Sequence, residues 1–439
     1  MKEIKIKINR LGAVRDSVVS ITPLTILSGE SGLGKSYVAL LMHYIYALIE
    51  QSRFDTLFER NTISVETAFK DEKTKFSISS SAIAAWINED AIKYMREAIG
   101  NPKLEIDVQM EIPLDYSYYT YDCSTEMIGI AGKEEIYYTI SLNNGLPYRY
   151  NQSSRVSGSS PFSILLATAL EIEFGINPTE FKMQAFLMVP GRGSILNLNR
   201  DDKALLEQQS GMIEEFLRDW DVIKHMAPLK ISAANIALIK RLQSINGGNI
   251  VIEDDELKYA VKDLSHPLPI SAAASSVKEL APLAMLIEKY PVSALSILFE
   301  EPEAHLHPTK QIEIADFIAE AVSNGTHFQI TTHSDYFIRR INDLIFLHKI
   351  KGKDSAMYEY ICEKGNYPTL TINPDVVSAY LLEHNQLYGH VQVKKQDLTC
   401  GIPFESFYSV LQNNVKWSME LKNKYKELYE NEKRAIKEN

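Results

Sequence analysis

Gly29-Glu30-Ser31-Gly32-Leu33-Gly34-Lys35-Ser36 decides the reading of this chain. The stretch fits G-x-x-x-x-G-K-[ST], the Walker A phosphate-loop pattern. It follows an apolar, β-branched run, Leu24-Thr25-Ile26-Leu27, and opens a helical pattern at Tyr37-Val38-Ala39-Leu40-Leu41-Met42. Strand, loop and helix in that order are the context the pattern requires. The glycines allow successive backbone N–H groups to converge on one concavity, and the following helix adds the positive end of its dipole. Lys35 is expected to reach the β- and γ-phosphates of a nucleotide, and the Ser36 hydroxyl to ligate Mg²⁺.

Working outward, a second site lies in the other half of the chain. Residues 297–308 read Ile-Leu-Phe-Glu-Glu-Pro-Glu-Ala-His-Leu-His-Pro. A hydrophobic strand ending in two carboxylates is the Walker B arrangement. Glu300 is expected to hold Mg²⁺ through water, and Glu301 to polarise the attacking water. At the carboxyl end of a parallel strand, both would sit beside the phosphate loop. The strand Gln329-Ile330-Thr331 leads to Thr332-His333-Ser334, which puts His333 where a switch histidine meets a γ-phosphate. His305, His307 and Glu303 offer a competing reading as a metal cluster.

The bulk numbers exclude several classes. The chain has 439 residues, 45% hydrophobic and 23% charged, which suits a globular protein of two or three domains. Its apolar runs fall far short of the roughly 18 residues that span a bilayer. The N-terminus alternates polar and apolar like an edge strand and lacks a signal-peptide core. Cys123, Cys362 and Cys400 lie far apart and read as free thiols in a reducing cytoplasm. A net charge of −11 argues against general affinity for nucleic acid.

Periodicity gives the organisation. Residues 1–52 read as three strands, the phosphate loop and a long helix. Lys73–Ser79 alternates like a strand, and Ser81 to Ile99 has helical spacing. Leu104–Tyr150 looks antiparallel, with a turn at Asn143-Asn144-Gly145. Asn151–Ser160 is a polar loop. Helices are expected over 161–175 and 203–245, then a hairpin at 250–259 and an amphipathic helix over 277–290. Strands at 295–299 and 328–330 flank a helix at 309–323. A helix over 334–342 is followed by a separate apolar run, Leu344–Leu347. The tail from Phe404 reads as a charged, solvated helix.

The Glu-Glu-Pro-Glu-Ala-His-Leu-His-Pro and Thr-Thr-His-Ser stretches resemble the ABC-type ATPases of the RecF/SMC/OLD branch. They are similar in particular to stand-alone AAA ATPases of bacterial antiphage systems such as Septu, PARIS and OLD/Gabija. The resemblance covers about 1–50 and 245–400. It implies an α/β fold: an ABC-type P-loop NTPase head with a mixed central sheet, an antiparallel β subdomain and an inserted helical region. The expected division is 1–52 and 246–400 for the two parts of the head, 53–245 for the inserted lobe and 401–439 for the tail. It further implies two ATP molecules, with Mg²⁺, sandwiched in a head-to-tail homodimer or larger homo-oligomer. Ser276, in Ser271-Ala272-Ala273-Ala274-Ser275-Ser276-Val277, would then be the γ-phosphate ligand presented to a second copy, and the segment carrying His305 and His307 would face that copy. Val277 stands where the family has glycine, and Glu300 where Asp is more common. Arg192, in Val189-Pro190-Gly191-Arg192, is a candidate sensor of phosphate or of a neighbouring subunit, alongside a plain surface role. Gln184 is the candidate Q-loop glutamine, and Arg15 the candidate contact to base or ribose.

Other features admit bland readings. The tyrosines between 116 and 150 suit a packed sheet, or a surface for a protein partner. Glu256-Leu257-Lys258 matches the end of a nuclease pattern but fits a hairpin better. After His333 no further catalytic pattern stands out. The expectation is therefore a cytoplasmic ATP switch that controls a separate effector, a nuclease, in antiphage defence. The alternatives are a DNA-maintenance ATPase that clamps DNA directly and an ATP-bound scaffold with little turnover.

Overall fold

The computed structural model describes residues 1–71, 73–130, 133–151, 159–176, 181–196, 211–229, 231–253, 256–261, 264–365, 368–385, 387, 389–403 and 405–438. Among these, a nine-stranded mixed sheet forms the centre. Its strands are β1 (Ile4–Leu11), β2 (Val14–Ile21), β3 (Leu24–Gly29), β5 (Ile106–Glu111), β9 (Gln184–Met188), β13 (Leu295–Glu300), β14 (His327–Thr331), β15 (Val377–His384) and β16 (Val391–Lys395). The spatial order is β5-β1-β2-β16-β15-β3-β14-β13-β9. Strands β9, β13, β14, β3 and β15 run parallel, and β1 pairs antiparallel with both β2 and β5.

Strands β3, β13 and β14 are buried along their whole length. That is why they read as continuous apolar runs rather than alternating ones: both faces of the parallel core are covered. One cover is the helix Lys35–Glu50, which is buried on nearly all sides. Its apolar residues occupy every face, as expected of a helix between a sheet and further helices. Strand β1, by contrast, alternates buried and exposed residues.

A second sheet, antiparallel, joins β4 (Lys73–Ser79), β6 (Tyr118–Ile130), β7 (Lys133–Leu142) and β8 (Tyr148–Asn151). Phe58, Phe76, Tyr121 and Phe162 pack ring on ring against it. Tyr119 and Tyr121 are buried, while Tyr116 and Tyr118 are exposed. Asn143 and Asn144 both take positive φ, 51° and 57°. This is the conformation a tight β-hairpin turn demands of Asn. A small third sheet holds the hairpin β10 (Gly248–Glu253) and β11 (Glu256–Val261), where Lys258 bonds Glu253.

Several expectations need correction. The N-terminal strand is not an edge: β5 pairs along it from Lys5 to Leu11. The 53–245 segment is therefore not wholly an inserted lobe, because it supplies β5 and β9 to the central sheet. The helical stretch expected over 203–245 is two helices, Gly211–His225 and Ala233–Asn246. Pro228 lies between them, and Ser232 caps the second in a capping box with Asn235. Leu344–Leu347 is part of one helix, Asp335–Lys353. Phe337, Ile338, Ile341, Leu344 and Ile345 keep a single buried stripe through it, with no breaker between. Residues 203–210, and 152–158 of the expected loop, lie outside the described residues. The three cysteines are free, Cys123 and Cys362 buried and Cys400 exposed. No helix among the described residues is long and apolar enough to cross a membrane.

Candidate functional site

The strand order explains how distant motifs meet. Strand β14 lies between β3 and β13, with Thr331 level with Leu27 on one side and Glu300 on the other. The phosphate loop leaves β3, the paired carboxylates end β13, and His333 follows β14. All three emerge at the carboxyl ends of adjacent parallel strands, where open α/β sheets hold ligands.

The loop itself is shaped by glycine. Gly29, Gly32 and Gly34 have φ of 129°, 80° and 93°. A Cβ on Gly29 would lie 2.3 Å from the Leu382 carbonyl oxygen of β15, so only glycine fits. Around Gly32 a Cβ would meet nothing within 4 Å, leaving open space over the loop. Glu30, Ser31 and Gly32 are exposed, and Leu33 is buried as the loop's anchor. The helix Lys35–Glu50 has no side-chain cap, so its first N–H groups stay available for an anion.

Lys35 is buried, and its Nζ donates to the carbonyls of Gly29 at 3.0 Å and Glu30 at 2.8 Å. Burial lowers its pKa, and the carboxylates of Glu301, Glu300 and Glu303 oppose that. Ser36 Oγ donates to Glu300 Oε2 at 2.5 Å. Burial raises the Glu300 pKa against this hydrogen bond, and Glu300 Oε1 is buried with no hydrogen-bond partner. A serine hydroxyl and a carboxylate with a spare oxygen form a hard donor set that fits Mg²⁺. The open cradle over Gly32 and the uncapped helix end fit a nucleotide's phosphates.

Glu301 follows with φ 45°, and its amide donates to the Thr331 carbonyl at 3.0 Å. The strained turn swings its side chain out of the strand line, so Glu301 is partly exposed where Glu300 is buried. Its Oε1 lies 3.9 Å from His333 Nε2, which is in turn 3.4 Å from Ser31 Oγ. Burial, together with Lys35, lowers the His333 pKa, which keeps the ring neutral at pH 7. Sequence reasoning missed Glu303 as a support for this histidine. Its Oε1 accepts from Thr332 Oγ1 and from the His333 amide, both at 2.7 Å. The buried carboxylate thereby fixes the loop that carries the ring. The signal was available in Glu300-Glu301-Pro302-Glu303 only as a third acid of unassigned role.

Other candidates fall elsewhere. His305 and His307 are exposed, and Glu303 is turned inward to Thr332; no metal-holding group of three or more such side chains occurs among the described residues. Gln184 begins β9, paired with Leu295, at the end of the sheet away from the carboxylates. Its side chain donates to the carbonyls of Lys182 and Met183. Arg15 donates to the carbonyls of Gly12 and Val14 in the β1–β2 turn. That turn lies against the loop, since a Cβ on Gly34 would be 3.3 Å from Val14 Cγ2. Ser276 is half-buried at the second position of the helix Ser275–Lys289. Val277 is buried, so its side chain points into the core rather than outward beside Ser276. Arg192 is fully buried and so is neither a surface residue nor open to a neighbouring subunit. Burial pulls its guanidinium down to about 10, still charged at neutral pH.

Residues 194–338 match the family described as AAA ATPase domain, about a third of the chain. No curated protein matches. Solved structures of SMC head domains resemble the chain weakly. An SMC head bound to the C-winged helix domain of ScpA is 14% identical, with TM-score 0.36, 90% of this chain covered and 97% of that one. The SMC head domain from Thermotoga maritima is 11% identical, with TM-score 0.33 and coverage of 90% and 100%. A head with an extended coiled coil, bound to the C-terminal domain of ScpA from Pyrococcus furiosus, is 14% identical, with TM-score 0.37 and coverage of 94% and 98%. Phosphate loop, paired carboxylates and histidine meet at the ends of adjacent strands, an arrangement that fits the phosphates of a nucleotide. At finer grain the chain is similar to the AAA ATPase domain family over the matched segment.

Proposed function

We propose that this protein is an ATP-hydrolysing switch that closes head-to-tail on a second copy and controls a separate effector in antiphage defence. The observation that carries the ATPase part is the meeting of Ser36, Glu300, Glu301 and His333 at one end of three adjacent strands. Bound ATP and Mg²⁺ would supply the phosphoanhydride and the charge that neutralises it. Lys35, now held by two carbonyls of its own loop, turns to the phosphates. Ser36 and Glu300 would hold the ion. Glu301 takes the proton of the attacking water, and neutral His333 donates towards the γ-phosphate. Ser276 completes the site from the second copy, with the start of its helix behind it.

The defence part is supported by the likeness of the Glu-Glu-Pro-Glu-Ala-His-Leu-His-Pro and Thr-Thr-His-Ser stretches to antiphage ATPases. The test is plaque formation on a host carrying this gene with its neighbours. Lys35→Ala should abolish protection; full protection by that variant would sink the reading. ATP-stimulated DNA binding that falls steeply with salt would instead favour a DNA-maintenance ATPase.

A further inference from the structure

Where β9 ends, the chain turns at Gly191, φ 69°, into the short helix Arg192–Leu196. Arg192 has no exposed surface. Its Nη1 donates to the carbonyls of Val189 at 3.0 Å and Glu300 at 2.9 Å, and its Nε donates to the carbonyl of Glu279 at 2.7 Å. The guanidinium lies 4.6 Å from the centre of the Phe299 ring. The Glu279 carboxylate is 3.6 Å from Nε, and its other oxygen accepts the Gly193 amide at 3.2 Å. A Cβ on Gly193 would lie 2.8 Å from Lys278 Cβ, so the two helices press together there.

Three pieces thus meet at one dry ion pair: the exit of β9, the Glu300 end of β13 and the first turns of the helix bearing Ser276. A guanidinium is a rigid planar fork, so bonding the carbonyls of Glu279 and Glu300 fixes the distance between them. A buried ion pair adds little stability over an apolar pair of similar volume. The ion pair itself therefore adds little; what the side chain contributes is its three bonds to carbonyls of separate elements. Arg192 Nη2 and Glu279 Oε2 also remain without hydrogen-bond partners, a further cost of keeping the charges inside.

We infer that Arg192 is a positioning residue that makes the Ser276 helix and the Glu300–Glu301 turn move as one body. A second copy docking its nucleotide against Ser276 is thereby felt at the carboxylates of the chain that presents it. This rests on the reading of Ser276 as a ligand to the second copy's nucleotide.

The experiment uses the full chain with Glu301→Gln as parent, and compares the solution mass in Mg-ATP and Mg-ADP by light scattering. The double variant Arg192→Met with Glu279→Leu replaces the ion pair by an apolar one. Its affinity for ATP should stay near the parent's, while its melting temperature should fall because buried carbonyls lose their donor. Its ATP-dependent assembly should weaken about tenfold, and with Glu301 intact its kcat should fall by a similar factor at unchanged KM. Arg192→Lys, which keeps the charge but loses the fork, should show the same split and carries the test if the double variant does not fold. Assembly equal to the parent's, with kcat in the Glu301 background equal to the wild type's, in a well-folded variant overturns the inference alone, leaving the pair as packing. A parent that shows no ATP-dependent change in mass overturns the Ser276 reading and this inference together.

Discussion

Ser36 Oγ and Glu300 Oε2 lie 2.5 Å apart although 264 positions separate them in the chain. One opens the helix after β3 and the other ends β13, with β14 between the two strands. The bond brings together the hydroxyl and the carboxylate that would share an ion under the proposed function, and the other Glu300 oxygen is buried with no hydrogen-bond partner.

Lys35→Ala should weaken ATP binding by about 100-fold, the loss of a charge-assisted contact in a partly dehydrated site. Calorimetric titration with ATP measures it. Affinity within a factor of two of the wild type would mean that the loop does not hold phosphates.

Gly29→Ala should damage the fold rather than the chemistry. Its Cβ would meet the Leu382 carbonyl at 2.3 Å, at a φ of 129° that side chains rarely adopt. Strain and displacement of β15 should cost about 3 kcal/mol, read by urea unfolding. An unchanged midpoint would contradict the packing described for β3 and β15.

Val277→Gly should not improve the site even though it introduces the glycine common in the ATPases the sequence resembles. Val277 is buried at 5% exposure, so the change removes core contact and loosens the first helical turn. A stability loss of about 2 kcal/mol is expected. A gain in turnover with unchanged stability would show that Val277 obstructs the approach of phosphate.

The protein should lose stability in mild acid through its buried histidines. Burial depresses His327 from 6.5 to about 4, and burial likewise lowers His43. The unfolded chain takes up protons at these sites first as pH falls. The contribution is intact above pH 6.5 and is lost between 6.5 and about 4. His327 alone should cost roughly 2 kcal/mol at pH 5 relative to pH 7. Urea midpoints at the two pH values check this, and equal midpoints would mean that His327 is not held neutral in the core.

Much of the site was legible because its residues are tied to short patterns. Glycine spacing, Lys-Ser and the flanking strand fix the loop locally. Two acids after an all-apolar strand mark the end of β13, and the all-apolar runs themselves announce a parallel core. What stayed hidden depends on long-range pairing. Strand β5 is one more alternating run, and nothing local says that it pairs with β1 rather than with its neighbours β6 and β7. Arg192 looks like any arginine after a Pro-Gly turn, because its burial depends on Glu279 and on the Glu300 carbonyl, both about a hundred residues away. Glu303 reads as part of an acidic turn until β14 brings Thr332 and His333 to it.

The central claim is a nucleotide site completed by a second copy. The most direct measurement is the solution mass of Glu301→Gln in Mg-ATP against Mg-ADP, by light scattering. The account predicts that the mass doubles only in Mg-ATP. The same mass in both nucleotides would contradict it.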